Sequence, residues 1–214
     1  MSGTEYQKIP GPFRRETEGP NRNKVIPGAW TSPELGYLAE LQWVFTEKVD
    51  GTNIRVIWDG HKVAFGGRTD NAQIPAKLVA VLRELFPEEL FEQAFGGEPA
   101  VLYGEGYGAG IQKAGGNYRQ TQGFVLFDVR VGDWWLRRPD IEDVASKMGV
   151  DAVPVIAECT LTEAIAAVAH GDVFSQWGSF PAEGMVGVPA VPLFTRAGER
   201  VIVKVKRADF RGKS

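Results

Sequence analysis

The sequence predicts an α+β fold with antiparallel sheets flanked by helices. Three observations lead there. The 214 residues include 26 Gly and 13 Pro, which imply many turns and short elements rather than a helical bundle. Apolar, β-branched and aromatic runs recur without alternating regularly with helices, which disfavours a doubly wound parallel sheet. Hydrophobic residues make up 43% and charged residues 24%, enough for a sizeable core and incompatible with wholesale disorder.

Taken in order, residues 1–31 are rich in Pro, Gly and charge. They read as an irregular arm ahead of a domain over 32–214. Ser32 before Pro33 is an N-cap and first-turn signal for a short helix to about Leu41. QWVFTEK (42–48), TNIRVIWD (52–59) and HKVAFGG (61–67) read as strands of a meander. Leu78, Val81, Leu82 and Leu85 have helical spacing within 75–86, and PEELFEQAF follows as a second short helix. AVLYGEG (100–106) and FVLFDVRV (124–131) are near-continuous apolar runs, hence buried strands. IEDVASKMG (141–149) reads as a helix ending at Gly149. Thr160 with Glu163 forms a capping box for a helix closed by Gly171. GMVGVPAV and RVIVKVK (200–206) are strands. In the second, Val201, Val203 and Val205 share one face, and Lys204 and Lys206 the other.

Composition narrows the function. One cysteine, Cys159, and two histidines, His61 and His170, exclude an internal disulfide and a His/Cys metal cluster; a direct metal site would need carboxylates. No apolar run reaches the ~18–20 residues of a membrane span, and the polar start lacks a signal-like apolar stretch. The expectation is a soluble, cytoplasmic, reduced protein with no membrane partner. The net charge of −3 argues against the whole chain acting as an electrostatic nucleic-acid binder. The charge is uneven, however. Residues 196–214 hold seven basic residues, including Arg211 and Lys213, against Glu199 and Asp209.

Two glycine-rich segments are misleading. GEGYGAG (104–110) follows a strand, but IQKAGGNY is no helix opening, so no pyrophosphate-binding helix N-terminus is provided. Gly212-Lys213-Ser214 imitates the end of a P-loop but has Arg207 in place of the first glycine.

Six segments remain: Glu47-Lys48-Val49-Asp50-Gly51-Thr52-Asn53, Gly66-Gly67-Arg68-Thr69, Tyr103-Gly104-Glu105-Gly106, Phe127-Asp128, Glu183-Gly184-Met185-Val186 and Lys204-Val205-Lys206. Each alone has an ordinary reading. Asp-Gly between strands is a hairpin turn, a strand-end Lys is usually solvated, and Phe127 suits a core. Together, and in this order, they resemble the covalent nucleotidyltransferase superfamily of polynucleotide ligases and mRNA capping enzymes. The nearest likeness is to the phage-type RNA ligase 2 family. Lys48-Val49-Asp50-Gly51 matches motif I, Arg68 motif Ia, Glu105 motif III, Phe127 motif IIIa, Glu183 motif IV, and Lys204 with Lys206 motif V. The likeness spans about residues 42–210. Val188 stands where many relatives carry Lys. Asn53 is the residue RNA ligases of this type carry, where DNA ligases and capping enzymes usually have Arg.

The chemistry these residues suit can be stated independently. An amine attacking phosphorus must be neutral, whereas lysine ordinarily titrates near ~10.4. Neighbouring positive charge favours the neutral amine, and Lys204 and Lys206 supply it if they close over Lys48. The same cations stabilise charge on a transferring phosphoryl group. Asp50, Glu105 and Glu183 are hard oxygen donors for a magnesium or manganese ion that keeps several waters.

The resemblance implies an adenylation-domain fold around a nucleotide cleft, and an ATP-dependent RNA ligase. Lys48 would form a lysyl–AMP intermediate, AMP would pass to an RNA 5′-phosphate, and a 3′-hydroxyl would displace it. Glu47 is implied at the adenine edge, Glu105 at the ribose and Phe127 on the base face. Arg68, Lys204 and Lys206 are implied at phosphates, and Asn53 in sealing. With eight residues after Lys206, the expectation is a minimal, monomeric catalytic domain in a phage or bacterial-type cytoplasm. The rival readings are a minimal DNA nick ligase, a guanylyltransferase, and a non-catalytic domain that binds nucleotide or RNA.

Overall fold

The computed structural model describes residues 5–210. The chain divides into two compact units, Met1–Tyr6 with Asp50–Val153, and Gln7–Val49 with Pro154–Ser214. The expected arm is therefore shared: its residues 5 and 6 belong to the first unit and 7–31 to the second.

The second unit opens with strands β1 (Phe13–Arg15) and β2 (Val25–Trp30), which pair antiparallel. This corrects the expectation of an irregular arm. The Phe13 and Trp30 rings, 4.9 Å apart, fix one end of the hairpin, and Arg15 pairs with Asp209 at 2.6 Å. Helix α1 (Pro33–Tyr37) is capped as expected, with the Ser32 hydroxyl accepting from the Leu35 amide. A four-stranded antiparallel sheet follows in the order β10-β3-β11-β12. It is built from β3 (Gln42–Glu47), β10 (Val155–Thr160), β11 (Gly184–Pro189) and β12 (Val203–Lys206). Trp43, Phe45, Met185, Val203 and Val205 pack from its inner face against Leu161, Ala164 and Val168 of α6 (Leu161–His170). Burying each of the larger side chains stabilises the unit by about 1.5–3 kcal/mol. The capping box at Thr160 is present in full.

The first unit is a six-stranded sheet. Strands β5 (Val63–Gly66), β4 (Thr52–Trp58), β6 (Ala100–Tyr107), β7 (Gly123–Val131) and β8 (Trp134–Trp135) lie side by side, and β9 (Asp151–Ala152) pairs parallel with β7. Ile54, Val56, Leu102, Phe124 and Leu126 point to one face. There they meet α2 (Ala76–Leu85), α3 (Glu88–Phe95) and α5 (Arg138–Met148) through Leu78, Leu82, Phe91 and Val144. Helix α5 starts a turn earlier than its apolar pattern suggested, because Pro139 suits a first helical turn. After GEGYGAG there is only a one-turn helix, α4 (Gly115–Tyr118). The antiparallel α+β prediction holds, with β9 as the one parallel pairing among the described strands.

Candidate active site

In the second unit, Lys48, Gly184 and Lys206 share one rung of the sheet. The Lys48 amide donates to the Gly184 carbonyl at 3.0 Å, and Gly184 lies opposite Lys206. Because side chains alternate along a strand, Lys48 and Lys206 project from one face with no side chain between them. An added Cβ on Gly184 would lie 2.0 Å from the Val205 carbonyl oxygen, so glycine is required there.

Glu183, next to that glycine, bridges the two lysines. Lys48 Nζ donates to Glu183 Oε2 at 2.6 Å, and Lys206 Nζ lies 3.0 Å from Glu183 Oε1. All three side chains are partly exposed (20%, 23% and 32%), so the cluster is open to an incoming ligand and still half-shielded from water. It carries one net positive charge, which suits a polyphosphate. Lys204 lies opposite Val186 on the same face. Val188 is exposed on β11 and pairs with Val44.

Glu47 goes elsewhere. One residue before Lys48, it points to the opposite face and is 2% exposed. Its Oε2 accepts from the Gln176 amide at 2.7 Å, while Oε1 is buried with no hydrogen-bond partner among the described residues. Burial raises its proton affinity, and hydrogen bonds from Ser175 and the Gln176 amide partly offset this.

The first unit presents a second set of site residues on the sheet face opposite its core. Asn53 of β4 and Glu105 of β6 are cross-strand partners. Asn53 Oδ1 is buried with no hydrogen-bond partner among the described residues, a state that costs about 1–3 kcal/mol unless a ligand or water satisfies it. Asp50 and Gly51 open this unit. The Asp50 amide donates to Tyr118 Oη at 3.3 Å, and Gln112 Nε2 donates to the Gly51 carbonyl at 2.9 Å. Gly51 is pressed against β6: an added Cβ would lie 2.7 Å from Glu105 Cγ.

Phe127 occupies a β-bulge. Tyr103 pairs with Asp128 and Gly104 with Leu126, which leaves Phe127 as the extra residue. Its ring is half-buried, with the Tyr6 ring edge-on 5.2 Å away. Tyr6 in turn donates to Asp128 Oδ2 at 2.7 Å. Arg68 is exposed on the turn after β5.

The structure thus brings together Lys48, Glu183 and Lys206 in one unit, and Asn53 with Glu105 in the other. Arg55, Tyr6, Gln112 and Tyr118 were missed from the sequence. Arg55 alone left a signal, as a lone charge inside an apolar strand.

Among the described residues no three His, Cys, Asp or Glu side chains are placed to hold a metal ion directly. The donor set still fits a hydrated ion. Asp50 and Glu105 flank the Gly51 contact, and magnesium binds through few carboxylates and several waters. A groove of about 590 Å³ between β5 and α2, lined by Phe65, Asp70, Ile74, Arg83 and Glu88 among others, contains none of the predicted site residues. Arg211 and Lys213 of the basic tail lie outside the described residues.

Comparison with known proteins bears on this arrangement. The RNA ligase family model matches residues 41–206. No curated protein matches the chain. Among solved structures, a mutant of Naegleria gruberi RNA ligase with ATP and Mn superposes with a TM-score of 0.65 at 18% identity, covering 81% of this chain and 51% of the other. Another mutant of that ligase, with AMP and Mn, gives 0.64 at 18%, covering 81% and 52%. The Naegleria gruberi RNA ligase with PPi gives 0.63 at 18%, again over 81% and 52%. The chain therefore spans about half the length of the solved structures it resembles.

Proposed function

The chain belongs to the RNA ligase family, and from that premise we propose that it is an ATP-dependent RNA ligase acting through Lys48. One observation carries the reading: Glu183 ties the motif I lysine to the motif V lysine across a single rung. Three residues separated by up to 158 positions meet where a nucleophile, an acceptor for its proton and a phosphate-binding cation are needed.

An ammonium paired with a carboxylate is not a nucleophile. Glu183 Oε2, already hydrogen-bonded to Lys48 Nζ, is in place to receive the proton as the amine is released. Lys48 Nζ attacks the α-phosphorus of ATP. A nitrogen–phosphorus bond forms, the bond to the bridging oxygen breaks, and pyrophosphate departs with the electron pair. Lys206, with Lys204 on the same face, offsets charge gathered on the phosphoryl oxygens. The lysyl–AMP then yields AMP to an RNA 5′-phosphate, regenerating the amine. Finally a 3′-hydroxyl attacks that phosphorus and AMP leaves.

Glu47 Oε1, with no hydrogen-bond partner among the described residues, is an acceptor suited to the amino group of adenine, and Phe127 offers a ring face to the base. Glu105 serves the ribose, Arg68 a phosphate, and Asn53 the sealing step, where its buried Oδ1 gains a partner. Asp50, Glu105 and Glu183 would hold magnesium or manganese through water. When bound, the ion supplies neutralisation of phosphate charge. Asn53 favours RNA over DNA as the strand joined. The remaining proposals are a monomer, RNA with 3′-hydroxyl and 5′-phosphate ends as substrate, and a cytoplasmic setting in a phage or bacterial host. No helix among the described residues is long and apolar enough to cross a membrane.

The test is incubation with α-labelled ATP and magnesium, then a denaturing gel and peptide mapping. Label is expected on the peptide holding Lys48 and absent from Lys48→Ala. Label surviving in Lys48→Ala overturns the assignment.

A further inference from the structure

We propose that Arg55 and Asp70 form a positioning pair that fixes the Gly66–Asp70 turn, and that both act on adenylylation only through Arg68. The inference rests on the ligase reading above, since it takes Arg68 to contact a phosphate of ATP.

Arg55 sits mid-strand in β4, and its side chain is 1% exposed. A guanidinium that deep costs several kcal/mol unless its charge and donors are matched. Two of the matching partners come from one short turn. Nε donates to the Gly67 carbonyl at 2.7 Å, and Nη2 donates to Asp70 Oδ1 at 2.8 Å. These contacts bracket Arg68, one residue on its near side and two on its far side.

The turn is built for that approach. A Cβ on Gly66 would lie 2.8 Å from Arg55 Nη2, and one on Gly67 would lie 2.7 Å from Ala72 Cβ. Two further bonds close it: Ala72 N donates to the Thr69 carbonyl at 3.0 Å, and Asp70 N donates to Glu5 Oε1 at 2.9 Å. The sheet register continues the brace, because Gly66, Arg55, Tyr103 and Asp128 lie along one row of β5, β4, β6 and β7.

The pair is lopsided. Asp70 is 70% exposed, so a plain fold-stabilising ion pair would gain little from an aspartate in so much water. What the geometry secures is direction. With both flanks held, the exposed Arg68 side chain leaves from a fixed backbone. Among the described residues no carboxylate pairs with Arg68, which leaves its charge for a ligand. A planar fork satisfies a carbonyl and a carboxylate at once, which lysine cannot reproduce.

The experiment is a double-mutant cycle on the rate of lysyl–AMP formation, read at saturating and at limiting ATP. The variants are Asp70→Asn, Arg68→Ala and their combination, each in the full chain. Asp70→Asn is expected to slow the reaction by about tenfold, chiefly at limiting ATP. In the Arg68→Ala background it is expected to change the rate less than about twofold. Asp70→Glu, which keeps the carboxylate, is expected to recover most of the rate. Melting temperatures confirm that each variant folds. Losses that multiply, or no loss in Asp70→Asn, overturn the positioning role and leave the ligase reading intact. A wild-type chain that takes no label overturns both.

Discussion

At the level of single residues, Glu47 has the clearest pH consequence. Its ordinary value is 4.5 and burial raises it. The folded chain therefore holds this proton more tightly than the unfolded one, and Glu47 contributes most favourably while protonated. That contribution is lost as pH rises from about 4.5 through the folded value. Glu47→Gln is expected to remove this loss. Plotted against pH from acid to neutral, its melting temperature should show less decline than wild type over that interval. The paired lysines give a second prediction. Lys206→Ala is expected to slow lysyl–AMP formation by about 10²-fold or more, the scale of losing one charge-stabilising group. Arg211→Ala is expected to stay within about twofold of wild type. Equal effects in a single-turnover assay would mean that the basic segment acts only as diffuse charge.

At the level of elements, the rung through Lys48, Gly184 and Lys206 depends on close approach of β11 to β12. Gly184→Ala forces a Cβ into the Val205 carbonyl, an overpacking that costs about 1–3 kcal/mol. The expected result is a lower melting temperature together with loss of adenylylation. The cap of α6 is a separate matter. Thr160→Ala removes the half of the box in which the hydroxyl accepts from the Glu163 amide, leaving the Thr160 backbone donor in place, and is expected to cost about 1 kcal/mol in denaturant titration with the Lys48 reaction unchanged.

The same scale explains what could be read in advance. Strands β3, β4, β6 and β7 were legible because each carries a long apolar or alternating run. Strand β1 was not, because its three residues include two exposed arginines and only partner pairing makes it a strand. Strand β10 is an edge strand with no fully buried residue, so its pattern is weak. The bulge at Phe127 was hidden too, since register belongs to two strands and not to one. For the site, the motif residues were legible as types and order. Their partners were not: Glu183 meets Lys48 through pairing between strands 135 residues apart. The opposite facing of Glu47 and Lys48 does follow from alternation along one strand. The brace from Arg55 required knowing where the turn after β5 folds back.

For the whole molecule, substrate choice is the discriminating question. Matched nicked duplexes with an RNA or a DNA 3′-hydroxyl strand are expected to be sealed preferentially at the RNA end. Equal sealing of the DNA end would favour the DNA-ligase alternative. Labelled GTP is expected to give no adduct where labelled ATP does, and the reverse would favour a guanylyltransferase.

Sheet order also has a temporal side. Strand β3 joins β12 only by way of β11, and both lie in the last fifth or so of the chain. A polypeptide still being translated, released from the ribosome only as far as about residue 180, already displays Lys48 yet has neither its carboxylate nor its companion ammonium. The rung that joins Lys48, Glu183 and Lys206 is therefore complete only in chains whose synthesis has passed Lys206.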